Sequence, residues 1–228
     1  MTVLGKAAVA MWWDMATEYR QEFEDWHTHE HFPERMSIPG FLRGSRWSAL
    51  DGGDGFFVMY ELEDYAVLSS AAYLERLNNP TPWSTKLMPH HSGMVRSQCR
   101  VLESAGGGVG RCVLTIRLSP ASGQDEALRA WLARFAAGFA MARGGVGCHL
   151  LRTETPQMPM TVEQQIRGGG DRAADWVLVV MGYDLAVLQD TRRTALSDAA
   201  LQAQGASPGS VAGWYQLAHA ASAADVRP

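Results

Sequence analysis

Asp64-Tyr65-Ala66-Val67-Leu68 is answered later in the chain by Asp184-Leu185-Ala186-Val187-Leu188. Each copy directly follows an apolar run of strand length, Phe56 to Leu62 in one case and Ala174 to Tyr183 in the other, and each sets an aspartate where a helix cap belongs. Before the first copy, Ala7 to Asp14 reads as a buried strand, and an amphipathic helix begins near Thr17 with Tyr19, Phe23 and Trp26 along one side. Phe41 to Leu50 reads as a second strand, joined to Phe56–Leu62 through the glycine-rich turn Asp51 to Gly55. Tyr65 to Leu77 is helical and stops at Asn78-Asn79-Pro80; Met94 to Ser104 supplies a fourth strand. The same order then returns: strand Arg111 to Leu118, helix Asp125 to Ala142, strands Gly147 to Thr153 and Ala174 to Tyr183, a helix opened by Asp184, and a last strand Val211 to His219.

Strand, helix, strand, strand, helix, strand, twice over, predicts an α+β protein of two tandem ferredoxin-like β-α-β-β-α-β units, 1–105 and 111–228, joined by the glycine stretch Gly106 to Gly110. A four-stranded sheet with helices on one face leaves its other face bare. In a tandem arrangement the two antiparallel sheets cover each other, which predicts an α+β barrel within one chain. A parallel Rossmann sheet is excluded, because the turn at Asp51 to Gly55 is too short for a crossover and no glycine-rich phosphate loop joins a strand to a helix.

With 228 residues, 46% of them hydrophobic, the chain is long enough to bury a sizeable core. A formal charge of −4 provides no basic footprint for phosphates, so nucleic acid is not an expected partner. The most apolar stretch, Trp176 to Met181, is of strand length, and the segment Met1 to Lys6 has neither a long apolar region nor a cleavage site; no membrane partner and no secretion are expected. Cys99, Cys112 and Cys148 are odd in number and widely spaced, which fits reduced core thiols in a cytoplasmic protein.

The chemistry-bearing motif is Phe23-x-x-Trp26-x-x-x-x-His31-x-Pro33, followed by Pro39-Gly40-Phe41 and a strand carrying Arg46-Trp47. The second half keeps the frame, Trp131 followed by Ala136 and later by Gly144-Gly145-Val146, but has lost the imidazole. One half therefore reads as active and the other as scaffold. On these residues the first hundred positions resemble the EthD-like branch of the dimeric α+β barrel superfamily; the second half matches only in element order. The resemblance implies that His31 faces a ligand cleft, and that the chain is a small cofactor-independent enzyme isomerising, cyclising or oxygenating an aromatic or unsaturated ring compound. It implies a barrel formed here by a fused pair; such a pair needs no partner, and its sheet edges and helices leave a homodimer open.

His31 is the expected general acid or base, since an imidazole titrates near neutrality. Pro33 lacks the N–H that would bond the carbonyl of His29, so the helix is expected to kink or restart there. His91, in the loop after Pro89, is the expected proton-transfer partner, with His90 beside it in the ligand site, and Arg35 and Arg46 are expected to clamp an anionic group. Trp13, Trp47, Trp83 and Tyr60 are expected to form an aromatic wall. The alternatives are that His31 packs under the Pro39-Gly40 turn, and that the arginines pair with Glu34 or Glu61. His27 and His31 share a helix side while His29 points away, so the three histidines cannot converge on one ion; neither a metal nor another cofactor is expected. The stretch Pro156 to Arg172, with Gly168-Gly169-Gly170, reads as a lid with glycine hinges or as a disordered insertion. A non-catalytic small-molecule binder on the same fold is the alternative function.

Overall fold

The computed structural model describes residues 3–50, 55–154 and 159–226. In the first half lie β1 Ala7–Met15, α1 Arg20–Trp26, α2 Phe32–Met36, β2 Phe41–Ala49, β3 Gly55–Leu62, α3 Ala71–Asn78, α4 Pro82–Leu87 and β4 His91–Gly106. The second half supplies β5 Cys112–Leu118, α5 Asp125–Met141, β6 Gly145–Thr153, α6 Val162–Ile166, β7 Trp176–Gly182, α7 Leu185–Arg193, α8 Asp198–Ala203 and β8 Val211–Ser222. The eight strands hydrogen-bond in the order β1-β3-β2-β8-β5-β7-β6-β4 and close on themselves, an antiparallel barrel in a mixed α+β chain.

Two compact units divide the chain. One comprises Leu4–Cys99, Glu154–Ala173 and the C-terminal segment from Ala218; the other contains Arg100–Thr153 and Ala174–Leu217. In the first, β2 and β3 pair antiparallel as the hairpin reading requires, from Phe41 opposite Leu62 to Ser48 opposite Phe56; turn residues 51–54 lie outside the described residues. The second repeats the pattern with β6 and β7, Gly145 opposite Gly182 and Arg152 opposite Trp176.

The matched pentapeptides occupy equivalent places. Asp64 and Asp184 each accept from the N–H two residues on, Ala66 at 3.1 Å and Ala186 at 2.9 Å. Val67 and Val187 each fill the space a Cβ would need on a glycine held at positive φ, Gly40 (φ +90°) and Gly144 (φ +86°) respectively. After this point the halves differ. The run Tyr65 to Leu77 is not one helix, because Ser70 accepts from the Tyr73 N–H and starts α3 afresh after a 3-10 turn at Tyr65–Ser69. The loop expected around Pro82-Trp83 is a short helix: Thr81 caps it and Pro82 fills its first turn, where a missing N–H costs nothing.

Each unit packs its helices on one sheet face. Phe23, Trp26 and Phe32 meet Trp13, Phe56 and Tyr60 in the first; Leu128, Leu132 and Ala136 meet Leu114, Leu150 and Val180 in the second. Cross-strand partners share a face, so Trp13, Phe56, Val58 and Arg46 look toward the helices, while Trp12, Phe57 and Trp47 form a stacked ladder on the other side, with ring centroids 5.0 and 5.2 Å apart. Gly44 leaves room for the helix layer: a Cβ there would lie 2.5 Å from Phe32 Cε1 and 2.9 Å from Tyr60 Cε1. Gly44→Ala should therefore destabilise the protein by about 1–3 kcal/mol through overpacking, seen as a lower urea midpoint with unchanged m-value.

Candidate functional site

α1 buries Phe23 and Trp26, and at His27 its turn widens. His27–His31 is a π-helical turn in which the Phe32 N–H donates to the His27 carbonyl, five residues back. Pro33 follows at once, unable to donate to His29 and crowding the preceding turn. The wider turn keeps His27 (2% exposed) and His31 (7% exposed) on the buried side and leaves His29 on the surface. Glu30 secures the turn from outside by accepting from Trp26 Nε1 at 3.1 Å and from the Thr81 hydroxyl at 2.5 Å. π-bulges of this kind recur at functional sites.

His27 and His31 open onto a cavity made by the first unit alone. Trp13, Trp26 and Tyr60 form its aromatic wall, and Met11, Met88 and Met94 supply flexible apolar lining. His91 and Arg96 enter from β4, Arg35 from α2 and Tyr73 from α3, while α6 and the residue after it add Glu163 and Arg167. About 530 Å³ of unfilled space, mouth included, lies among these side chains.

The polar groups here are short of protein partners. His27 Nδ1, His31 Nδ1, both ring nitrogens of His91, the Tyr60 hydroxyl and one terminal nitrogen of Arg35 are sealed from solvent without a hydrogen bond among the described residues. The three imidazoles sit in aromatic surroundings: His31 lies 4.6 Å from the Trp26 ring and 5.2 Å from His27, and His91 lies 5.3 Å from Trp13. Burial, reinforced by Arg35, holds His31 well below the ordinary imidazole range, and burial with the His31 charge does the same to His27. His91 is lowered by burial, and further by Arg167 and His90, to about 3. All three are neutral at pH 7. Tyr60 is raised by burial and stays a phenol.

Arg35 is 3% exposed and ion-pairs with Glu163; Glu34 Oε2 lies 3.6 Å away. Burial opposes its charge, but Glu163, Tyr73 and Glu34 outweigh that and raise its pKa. The same Glu34 oxygen lies 3.8 Å from His31 Nδ1, beyond a hydrogen bond but close enough to feel a proton there. Of the residues expected in the site, His31, His91, Arg35, Trp13 and Tyr60 line the cavity. Arg46 does not: its guanidinium donates to the Glu24 carbonyl and the Thr28 hydroxyl, both at 3.2 Å, fastening α1 to the sheet. Trp47 belongs to the ladder on the opposite sheet face, Trp83 donates to Glu22 at 3.1 Å, and His90 stacks on Tyr19 with centroids 3.6 Å apart. Glu61 is claimed by Arg43 through bonds of 2.7 and 2.8 Å.

Sequence reasoning did not place Tyr73, Arg96, Glu163 or Arg167. The segment holding the last two shows a helix start, since Thr161 and Gln164 form a capping box, but nothing in its residues says where that helix docks. Residues 156–158 of the expected lid lie outside the described residues; Gly168, Gly169 and Gly170 all have positive φ. Among the described residues no group of three or more His, Cys, Asp or Glu is arranged to hold a metal ion, the three cysteines are buried, and no helix is long and apolar enough to cross a membrane.

No family model and no curated protein matches the sequence. Solved structures do. An anthrone oxidase-like protein superposes with a TM-score of 0.66 at 16% identity over 98% of this chain and 96% of its own. The dimeric α+β barrel is the fold of this chain. A proposed monooxygenase from Lactobacillus acidophilus matches with a TM-score of 0.61 at 8% identity over 96% and 97% of the two chains, and another from Fusobacterium nucleatum with 0.60 at 9% over 96% and 95%. At such identities the likeness is one of fold, and the barrel here closes with all eight strands from a single chain.

The neutral imidazoles carry a stability consequence. In the unfolded chain each protonates near its ordinary value of 6.5, whereas in the fold His27, His31 and His91 resist protonation until well below it. As pH falls below about 6.5 the unfolded chain binds more protons, so stability is complete above that value and is lost beneath it, by up to about 1.4 kcal/mol per pH unit for each histidine. The thermal midpoint should be flat from pH 8 to 7 and drop steeply between pH 6 and 4, and His91→Phe should make that drop about one third shallower.

Proposed function

We propose that this cavity is the active site of a small enzyme that needs no bound cofactor and acts on an aromatic or unsaturated ring compound, with His31 as general base or acid. The observation that carries the reading is the meeting of three neutral imidazoles, His27 and His31 buried and His91 half-buried, whose sealed nitrogens find no hydrogen-bond partner among the described residues. Buried polar atoms are normally satisfied, so a cluster of unsatisfied ones points to a ligand that completes them. A neutral imidazole at pH 7 is ready to accept a proton. His31 takes one from an activated ring carbon or phenol; the new imidazolium faces Glu34, and the ring anion left behind faces the Arg35 guanidinium, whose terminal nitrogen near Glu34 makes no hydrogen bond. Returned to another ring position, the proton gives isomerisation; where O₂ adds to the ring carbanion, the peroxide formed takes the proton back and breaks its O–O bond, losing water to leave a carbonyl at that carbon. His91 is the partner that relays the proton, and Trp13, Trp26 and Tyr60 hold the ring.

Similarity of fold to an anthrone oxidase-like protein and to proposed monooxygenases favours oxygen chemistry on a ring. The motif around Trp26 and His31 supports the EthD-like branch, and the paired pentapeptides support an ancestral tandem duplication in which Ala136 replaced the imidazole. The buried thiols of Cys112 and Cys148 fit a reducing, cytoplasmic setting. Anthrone and hydroquinone substrates, followed by O₂ uptake and product mass spectrometry, provide the test. Turnover should fall about 10²–10⁴-fold in His31→Ala with the circular dichroism spectrum unchanged. Because the imidazole is held neutral, kcat in the wild type should persist at pH 6 and decline only at lower pH. Undiminished turnover in His31→Ala overturns the assignment, and tight binding without turnover leaves a binding protein on the same fold.

A further inference from the structure

Three guanidinium groups line the cavity, and two of them are already neutralised. Arg35 is held by Glu163 with Glu34 beside it. Arg167 donates to Asp171 at 2.9 Å and lies 3.8 Å from Glu163. Arg96 is different. Its terminal nitrogen donates to the Tyr73 hydroxyl at 2.8 Å, a neutral partner, and Asp171 and Glu163 act on it only through longer-range attraction. No carboxylate among the described residues pairs with it. A half-buried guanidinium whose side-chain hydrogen-bond partner is a neutral hydroxyl is better satisfied by an anion that supplies paired acceptors. Arg46, the other arginine expected to read an anion, is committed to α1 outside the cavity.

We propose that Arg96 is the specificity-determining residue of this cavity and seats a carboxylate on the ring substrate, with the Tyr73 hydroxyl as its neighbour. The inference rests on the reading of the cavity as the ligand site. Arg35 and Arg167 are held by Glu163, Glu34 and Asp171, so Arg96 is the lining guanidinium whose side-chain hydrogen-bond partner is neutral, and a ring bearing one carboxylate is the ligand that fits it. A second carboxylate would meet Glu163. Arg96 makes no bond to the reacting atoms in this scheme, so it governs KM and substrate choice rather than the proton transfer at His31.

Benzoate and its neutral amide, benzamide, separate the charge from the ring. Binding is followed by quenching of tryptophan fluorescence, with Trp13 and Trp26 in the cavity wall as reporters, and by thermal shift in the wild type, Arg96→Met and Arg96→Lys. In the wild type, benzoate at ten times its Kd should raise the thermal midpoint by about 3–5 °C and bind at least tenfold more tightly than benzamide. In Arg96→Met that preference should collapse to within about threefold. Arg96→Lys should keep the preference at weaker affinity, which preserves the test should the methionine variant fail to fold. Equal binding of benzoate and benzamide to the wild type, or a full preference surviving in Arg96→Met, overturns the role of Arg96 while leaving the cavity as a ring-binding site. Absence of any response to either ring compound overturns both.

Discussion

A proline that cannot donate a hydrogen bond sets the geometry on which the site depends. Pro33 leaves the His29 carbonyl without its helical partner and crowds the turn before it, and the chain answers with the five-residue π turn His27–His31. On that wider turn two histidines four positions apart come to lie on one buried side with ring centroids 5.2 Å apart. Trp26 and Phe32, immediately before and after the turn, are both fully buried, so the distortion is clamped at either end by packing.

The second half shows what the same frame does without that constraint. Gly138 stands where Pro33 would fall, Ala136 stands in place of His31, and α5 runs unbroken from Asp125 to Met141. Its inward side, Leu128, Leu132, Ala136 and Phe139, packs directly on the sheet of its own unit. Substituting a methyl for an imidazole removes a polar group that would otherwise need a partner, and that stretch becomes ordinary core. The imidazole and the proline after it thus occur in one helix and not in its counterpart.

Electrostatics in the cavity follow from how little water reaches it. Burial keeps the three imidazoles neutral, keeps Tyr60 a phenol, and makes Arg35 depend on Glu163 for its charge. Glu163 is the keystone of that balance. It is carried by α6, a short helix capped by Thr161 and tied through the Val162 N–H to Asn78 Oδ1 at 3.2 Å. A segment between two strands of the second half therefore supplies charge to a site built from the first.

Alternation of apolar residues and the two matched pentapeptides were enough to derive the order of strands and helices, because the period of a strand or an amphipathic helix is written locally. The sequence alone also marked His31 and Pro33, since a proline's missing N–H acts within one turn. It marked Trp13, Tyr60 and His91 as candidates without separating them from Trp47, Trp83 and His90. Only the tertiary structure made that separation: cross-strand register turns Trp13 toward the helices and Trp47 away, and a single residue step sends His91 into the cavity and His90 onto Tyr19. Arg96, Glu163 and Arg167 became neighbours through contacts between segments far apart in the chain. Those contacts follow from where α6 docks, and docking depends on the summed packing of many side chains rather than on any short motif.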